Sequence, residues 1–212
     1  MKRIAMLLVA ATAAMALVAG SGASGTAAAP RQPFTFFLTH YVLLGDDPDS
    51  PTGVRYQSTG RPSAKAKDGS TIALTGKGGW DPAAASVQGG GGYTITSKAG
   101  KVTARGTWSA TKFVSFLQLP GWWGIDGFEE KGWQGPPGSD SFSGFLKLRV
   151  KLDDGRRGLL TSWCIMPTVR HLGGHVSDGI SLTGDGLNFS DSTATEMSLE
   201  GMMFYGPGSA NN

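Results

Sequence analysis

The strongest constraint on this chain is a two-residue repeat. Phe142, Gly144, Leu146, Leu148, Val150 and Leu152 fall on one face of a stretch whose other face carries Ser143, Lys147, Arg149 and Lys151, with Phe145 among them. Successive side chains of a strand point to opposite sides, so this alternation predicts a β-strand with one buried and one wet face. Asp153-Asp154-Gly155 follows as a turn. Leu159 to Met166 is more continuously apolar and reads as the returning, more central strand, which Pro167 ends.

A second hairpin is nearly as clear. Tyr93-Thr94-Ile95-Thr96 leads into Ser97-Lys98-Ala99-Gly100, and Lys101-Val102-Thr103-Ala104 leads out. A four-residue loop ending in Gly suits a type I turn closed by a left-handed residue. The outgoing strand is expected to bend at Gly106 and to continue through Trp108 to Phe116, because Gly inside a strand often marks a bulge. Other candidate strands are Phe34 to Leu44, Thr71 to Thr75, Ile180 to Thr183 with Leu187 to Phe189 as one bent strand, and Thr195 to Tyr205. Phe37, Leu38, Tyr41 and Leu44 also have helical spacing, which keeps a helix open for the first of these.

Glycine supplies 33 of the 212 residues, about twice the usual share, and charged residues only 17%. That composition excludes a coiled coil, and Gly has no three-residue period, which excludes collagen. Ten Phe and six Trp within 40% hydrophobic residues argue against disorder. The expected fold is all-β, an antiparallel barrel of about eight strands, with a two-sheet sandwich as the alternative. Gly76, Gly106, Gly144 and Gly184 at or within strands favour the barrel, which needs bends to close. Residues 30–206 are expected to form one β domain and 207–212 a frayed tail. The stretch from Gly45 to Ala66, with Pro48, Pro51 and Pro62, reads as a polar, mobile linker.

The first residues read as an export signal. Met1-Lys2-Arg3 is a positive start, Ile4 to Gly20 an uncharged apolar run, and Ser21 to Ala29 a small-residue stretch with cleavage expected after Ala23 or Ala29. A retained signal anchor is the alternative. Residues 1–29 are thus assigned to the signal, the mature chain to the secreted fraction, with no membrane span left after cleavage. Losing Lys2 and Arg3 lowers the formal net charge from +3 to +1. No clustered basic face remains, so nucleic acid is not an expected partner. Cys164, the single cysteine, reads as a buried, inert thiol.

One segment stands out chemically: Pro120 to Gly138. It is too long for an ordinary connection and carries Trp122, Trp123 and Trp133 beside Asp126, Glu129 and Glu130. Rings that stack on an apolar or sugar face, beside carboxylates that accept hydroxyl protons, make these six residues the candidate ligand contacts. Packing of the Trp rings as a plug for the barrel is the competing structural role. Carboxylates flanking a glycosidic bond at a fixed separation would instead give a glycan hydrolase, and sequence cannot show that spacing. The acids lack the spacing of an EF-hand loop. His171 and His175 have a spacing used in zinc sites, with Cys164 and Asp178 nearby, but Gly173-Gly174 argues against the helix that would align them, and no metal or other cofactor is expected. The third histidine, His40, has no such partner in sequence. There is no Gly-x-Ser-x-Gly elbow, and Gly89 to Gly92 is no phosphate loop, because Tyr93 opens a strand after it.

The stretch Gly89-Gly90-Gly91-Gly92-Tyr93-Thr94, with Gly106-Thr107-Trp108-Ser109-Ala110-Thr111 and Ser115-Phe116, resembles a GGGxYT…GTWxAT…SF core of uncharacterised small exported proteins of high-GC Gram-positive bacteria. The resemblance implies a secreted β domain and carries over no catalytic residue. The leading expectation is a secreted, non-enzymatic β domain that binds a small apolar or carbohydrate ligand through the loop 120–138. The alternatives are an extracellular glycan hydrolase or barrel-type isomerase or cyclase using the loop carboxylates, and an envelope-associated interaction protein.

Overall fold

The computed structural model describes residues 33–46, 54–58, 61–122, 139–164, 178–194 and 198–207. These residues hold twelve strands and no helix: β1 (Phe34–Asp46), β2 (Val54–Ser58), β3 (Ser63–Ala66), β4 (Thr71–Leu74), β5 (Gly76–Asp81), β6 (Ser86–Thr96), β7 (Val102–Trp122), β8 (Ser139–Leu152), β9 (Arg157–Cys164), β10 (Gly179–Gly184), β11 (Leu187–Ser192) and β12 (Ser198–Pro207). All lie in the unit Arg31–Asn212. Antiparallel pairs run β4–β6–β7–β8–β9–β10–β11–β3 and back to β4, which closes an eight-stranded barrel. Closure pairs the edges that an open sheet leaves free. Past the bend after Leu74, β5 pairs β6 and β1, β1 pairs β12 and β2, and β12 pairs β8.

The alternation seen in sequence is the inward face. Leu146, Leu148, Val150 and Leu152 are buried while Lys147, Arg149 and Lys151 are exposed. Burying a large apolar side chain is worth about 1.5–3 kcal/mol, and the same core takes Leu160, Ile180, Leu182, Leu187, Phe189, Ile72, Leu74 and Trp108 from the neighbouring strands. Cys164 is buried in this core at the end of β9.

Four tight turns gather at one end of the barrel, at Lys67–Ser70, Ser97–Lys101, Asp153–Arg156 and Asp185–Gly186. Each places one Gly at positive φ, between 73° and 93°, where a side chain would be strained. The hairpin expected at Ser97–Gly100 is there, with Ser97 N–H donating to Lys101 O at 2.8 Å. The longer connections, residues 123–138 and 165–177, leave from the other end, beyond Trp122 and Cys164.

Several expectations need correction. The linker Gly45–Ala66 contains β2 and β3. The bent strand from Ile180 to Phe189 is a hairpin of two strands, β10 and β11, paired from Leu182↔Phe189 to Gly184↔Leu187. Gly106 shows no register shift. The shifts of β7 against β8 fall at 110/112, 113/115 and 118/122 instead, and Gly106 lacks a side chain because a Cβ there would lie 2.3 Å from both carboxylate oxygens of Asp153. The Gly89–Gly92 tract belongs inside β6, where β5 folds across it. A Cβ on Gly91 would lie 1.9 Å from Thr75 O, and one on Gly90 2.2 Å from Trp108 O. Pro207, expected to open the frayed tail, instead ends β12. The expectations for residues 1–29, for residues 208–212 and for the end of the returning strand at Met166 and Pro167 lie outside the described residues.

Candidate functional site

The end of the barrel that carries the long connections is lined with rings. Phe36 and Phe204, both buried on facing positions of β1 and β12, flank Trp80 of β5, whose centroid lies 6.3 Å from Phe36 and 5.9 Å from Phe204. Phe34 stacks on Trp80 at 5.1 Å with an interplanar angle of 21°. Phe116 of β7 packs on the same indole at 5.0 Å and on Phe204 at 5.3 Å. Aromatic pairs at such separations and tilts add about 0.5–1.5 kcal/mol each beyond their buried area. The strand register brings these rings together: Phe34 pairs with Trp80, Phe36 with both Gly78 and Phe204. Gly78 has no room for a Cβ, which would lie 2.6 Å from the Phe36 ring.

Phe36, Trp80 and Phe204 are fully buried, while Phe34 and Phe116 are half-buried and form the wet side of the nest. Beside Phe116, β7 exposes Val114 and Leu117, the latter 60% accessible. Trp80 Nε1 is buried and has no hydrogen-bond partner among the described residues. The other buried indole of the core differs: Trp108 Nε1–H donates to Thr75 O at 2.9 Å, at the bend between β4 and β5.

Of the six residues expected to contact a ligand, Trp122 is the last residue of β7 and pairs with Phe142, which pairs with Phe204. The row Gly78–Phe36–Phe204–Phe142–Trp122 thus joins the root of the Trp-rich segment to the aromatic nest through backbone register. Trp123, Asp126, Glu129, Glu130 and Trp133 lie outside the described residues, as do His171 and His175. Cys164 and Asp178 stand one residue beyond the terminal β9–β10 pair, Trp163↔Gly179, and both are buried. Among the described residues no three His, Cys, Asp or Glu gather as metal ligands. The nest itself escaped sequence reasoning. Its five rings come from four strands spread between positions 34 and 204, and Trp80 sits in Gly76-Lys77-Gly78-Gly79-Trp80-Asp81, which lacks any alternation.

A polar cluster occupies the opposite, tight-turn end. The Tyr93 hydroxyl donates to Asp153 Oδ1 at 3.1 Å and stands 3.3 Å from Asp154 Oδ2. Thr107 N–H donates to Asp153 Oδ2 at 2.8 Å, and Arg156 Nη2 meets Asp154 Oδ2 at 2.6 Å. The Thr107 amide is the main reason the Asp153 carboxyl is held below its ordinary range, and the Arg156 side chain does the same for Asp154. Burial, then the Asp153 hydrogen bond and the two carboxylate charges, push the Tyr93 phenol up. Carboxylates kept ionised and a phenol kept neutral tie the β8–β9 turn to β6 and β7. That is the chemistry of a lock, since a general acid or base needs a value moved toward neutrality.

The chain matches no protein-family model, no curated protein and no solved structure in comparisons against all three.

Proposed function

We propose that this chain is an exported, non-enzymatic β-barrel that binds a small apolar ligand at the aromatic end of the barrel, with the Trp-rich segment 120–138 supplying further contacts. One observation carries the reading: among the described residues four rings converge on Trp80 at the end where the long connections emerge, and two of them, Phe34 and Phe116, are only half-buried. Binding sites of eight-stranded barrels sit at such mouths, and apolar linings with few polar groups select apolar ligands. A carbohydrate is less well served, because the nest offers sugar hydroxyls only one side-chain polar atom, Trp80 Nε1. Exposed Val114 and Leu117 favour one second reading, an envelope-associated interaction protein using this strand.

Titration of the purified chain with N-phenyl-1-naphthylamine, an uncharged fluorescent probe, separates the two. Ligand binding predicts saturable one-to-one enhancement that weakens on the order of tenfold in Phe116→Ala and is unchanged in Leu117→Ser. The interaction reading predicts no saturation, or a signal lost in Leu117→Ser and kept in Phe116→Ala.

A further inference from the structure

We infer that the ligand of the aromatic nest is an uncharged, planar ring compound bearing one carbonyl-type oxygen, and that this oxygen accepts the Trp80 Nε1–H. The inference rests on the ligand-binding reading above and names the chemistry of its site. Its starting point is the missing partner of Trp80. More than about nine in ten buried polar groups in folded proteins are hydrogen-bonded, and each exception calls for a cause. Trp80 is 0% exposed, and its indole nitrogen has no hydrogen-bond partner among the described residues. The four described aromatic rings that pack on it, Phe34, Phe36, Phe116 and Phe204, carry no lone pair. Tryptophan is also an extravagant choice for a purely apolar position, because Phe fills space without bringing a donor.

The rest of the specification follows from the surroundings. None of the five ring residues is titratable, so a buried ligand charge would go uncompensated, which excludes an ionised ligand. The half-buried rings Phe34 and Phe116 both lie against the Trp80 ring, at 5.1 and 5.0 Å. A flat ligand that takes the place of Phe34 meets the indole with the same stacked geometry, at an interplanar angle near 21°. One orphaned donor sets one acceptor. The other buried polar atom without a partner among the described residues, the Thr35 hydroxyl Oγ1, belongs to the other side of β1, since Phe34 and Phe36 point inward and side chains alternate along a strand. It is not counted in the site. An N–H directed at a ring face is the competing explanation for Trp80, and it predicts no ligand chemistry.

Two matched probes decide the matter: 2-acetylnaphthalene, and 2-isopropenylnaphthalene, in which a methylene replaces the carbonyl oxygen. Affinities are measured by tryptophan quenching for the native chain and for Trp80→Phe, which keeps a ring and removes the donor. A neutral hydrogen bond of ordinary strength corresponds to about fivefold in affinity. The ketone-to-alkene affinity ratio is therefore expected to fall about fivefold in Trp80→Phe. In the native chain the Trp80 Nε1–H proton resonance is expected to move downfield with the ketone and not with the alkene, a readout that does not depend on the variant folding. If both probes bind, the ratio is the same in both chains and the resonance ignores the carbonyl, the hydrogen-bond inference is overturned while the ligand-binding reading survives. If neither probe binds at its solubility limit, both fall together.

Discussion

Replacing Gly91 with Ala tests how the barrel closes at its bend. An added Cβ lies 1.9 Å from Thr75 O, 2.6 Å from Thr75 C and 2.5 Å from Gly76 Cα, all of them backbone. Ordinary contact begins near 3.4 Å, so the two strands must part by about 1.5 Å. The Thr75 backbone is not free to retreat. Its N–H donates to Gly92 O at 2.9 Å, and its carbonyl accepts Trp108 Nε1–H at 2.9 Å. Overpacking costs about 1–3 kcal/mol and each weakened hydrogen bond about 1 more, so Gly91→Ala is expected to lose about 4 kcal/mol. For a domain of this size that corresponds to a drop in Tm of about 8–16 °C. Gly92→Ala is the matched control. Its Cβ meets the Thr75 side-chain Oγ1 at 3.1 Å and backbone only at an ordinary 3.7 Å, at Gly106 O, and its cost is expected to stay near 1 kcal/mol or below. Both variants lose similar unfolded-chain entropy, which cancels in the comparison. Urea unfolding followed by tryptophan fluorescence gives the two midpoints, compared at constant slope. Equal losses in the two variants would refute a backbone crossing at Gly91.

Four further outcomes follow from the contacts described above. Trp108→Phe leaves the part-buried Thr75 O without its donor and is expected to cost about 1–2 kcal/mol in the same unfolding assay, against no comparable effect from Ser109→Ala on the exposed face. Asp153 and Asp154 have folded-state values below the ordinary 3.8, so their stabilisation is full above about pH 5 and is lost as pH falls through the lowered values. Asp153→Asn is therefore expected to flatten the acid limb of a stability-versus-pH curve. Tyr93 is shifted up from 10.0, which stabilises the fold below that value and loses the effect as pH rises through the folded one; Tyr93→Phe should flatten the alkaline limb and leave the acid limb sloped. Cys164 is buried, so a maleimide is expected to label it only after unfolding, and fast labelling of the native chain would contradict its place in the core.

What the sequence disclosed depended on whether a strand has one wet face. Phe142–Leu152 was legible because Lys147, Arg149 and Lys151 alternate with buried Leu and Val. The Ser97–Gly100 turn was legible because Gly100, at φ 80°, is the residue such a turn demands. β5 and the first half of β6 were not, because at Gly78, Gly89, Gly90 and Gly91 the backbones approach too closely for a Cβ, and a run of Gly carries no period. Gly106 was misread as a bulge because a missing side chain signals a bend or a close neighbour alike, and the neighbour, Asp153, lies 47 residues further on. The Trp-rich segment drew notice by composition, and its root, Trp122, does reach the row of Phe204. The rings that make the nest announce themselves nowhere in sequence, since only the pairing of β1 with β5 and β12, and of these through β6 and β8 with β7, brings them together.

The most direct measurement is a map of amide and indole resonances of the chain, at 22.0 kDa within reach of solution NMR, during titration with naphthalene. The account predicts saturable shifts at Phe34, Phe36, Trp80, Phe116 and Phe204 and silence around Tyr93, Asp153 and Arg156 at the opposite end. Shifts centred on the Tyr93 end, or none that saturate, would contradict it.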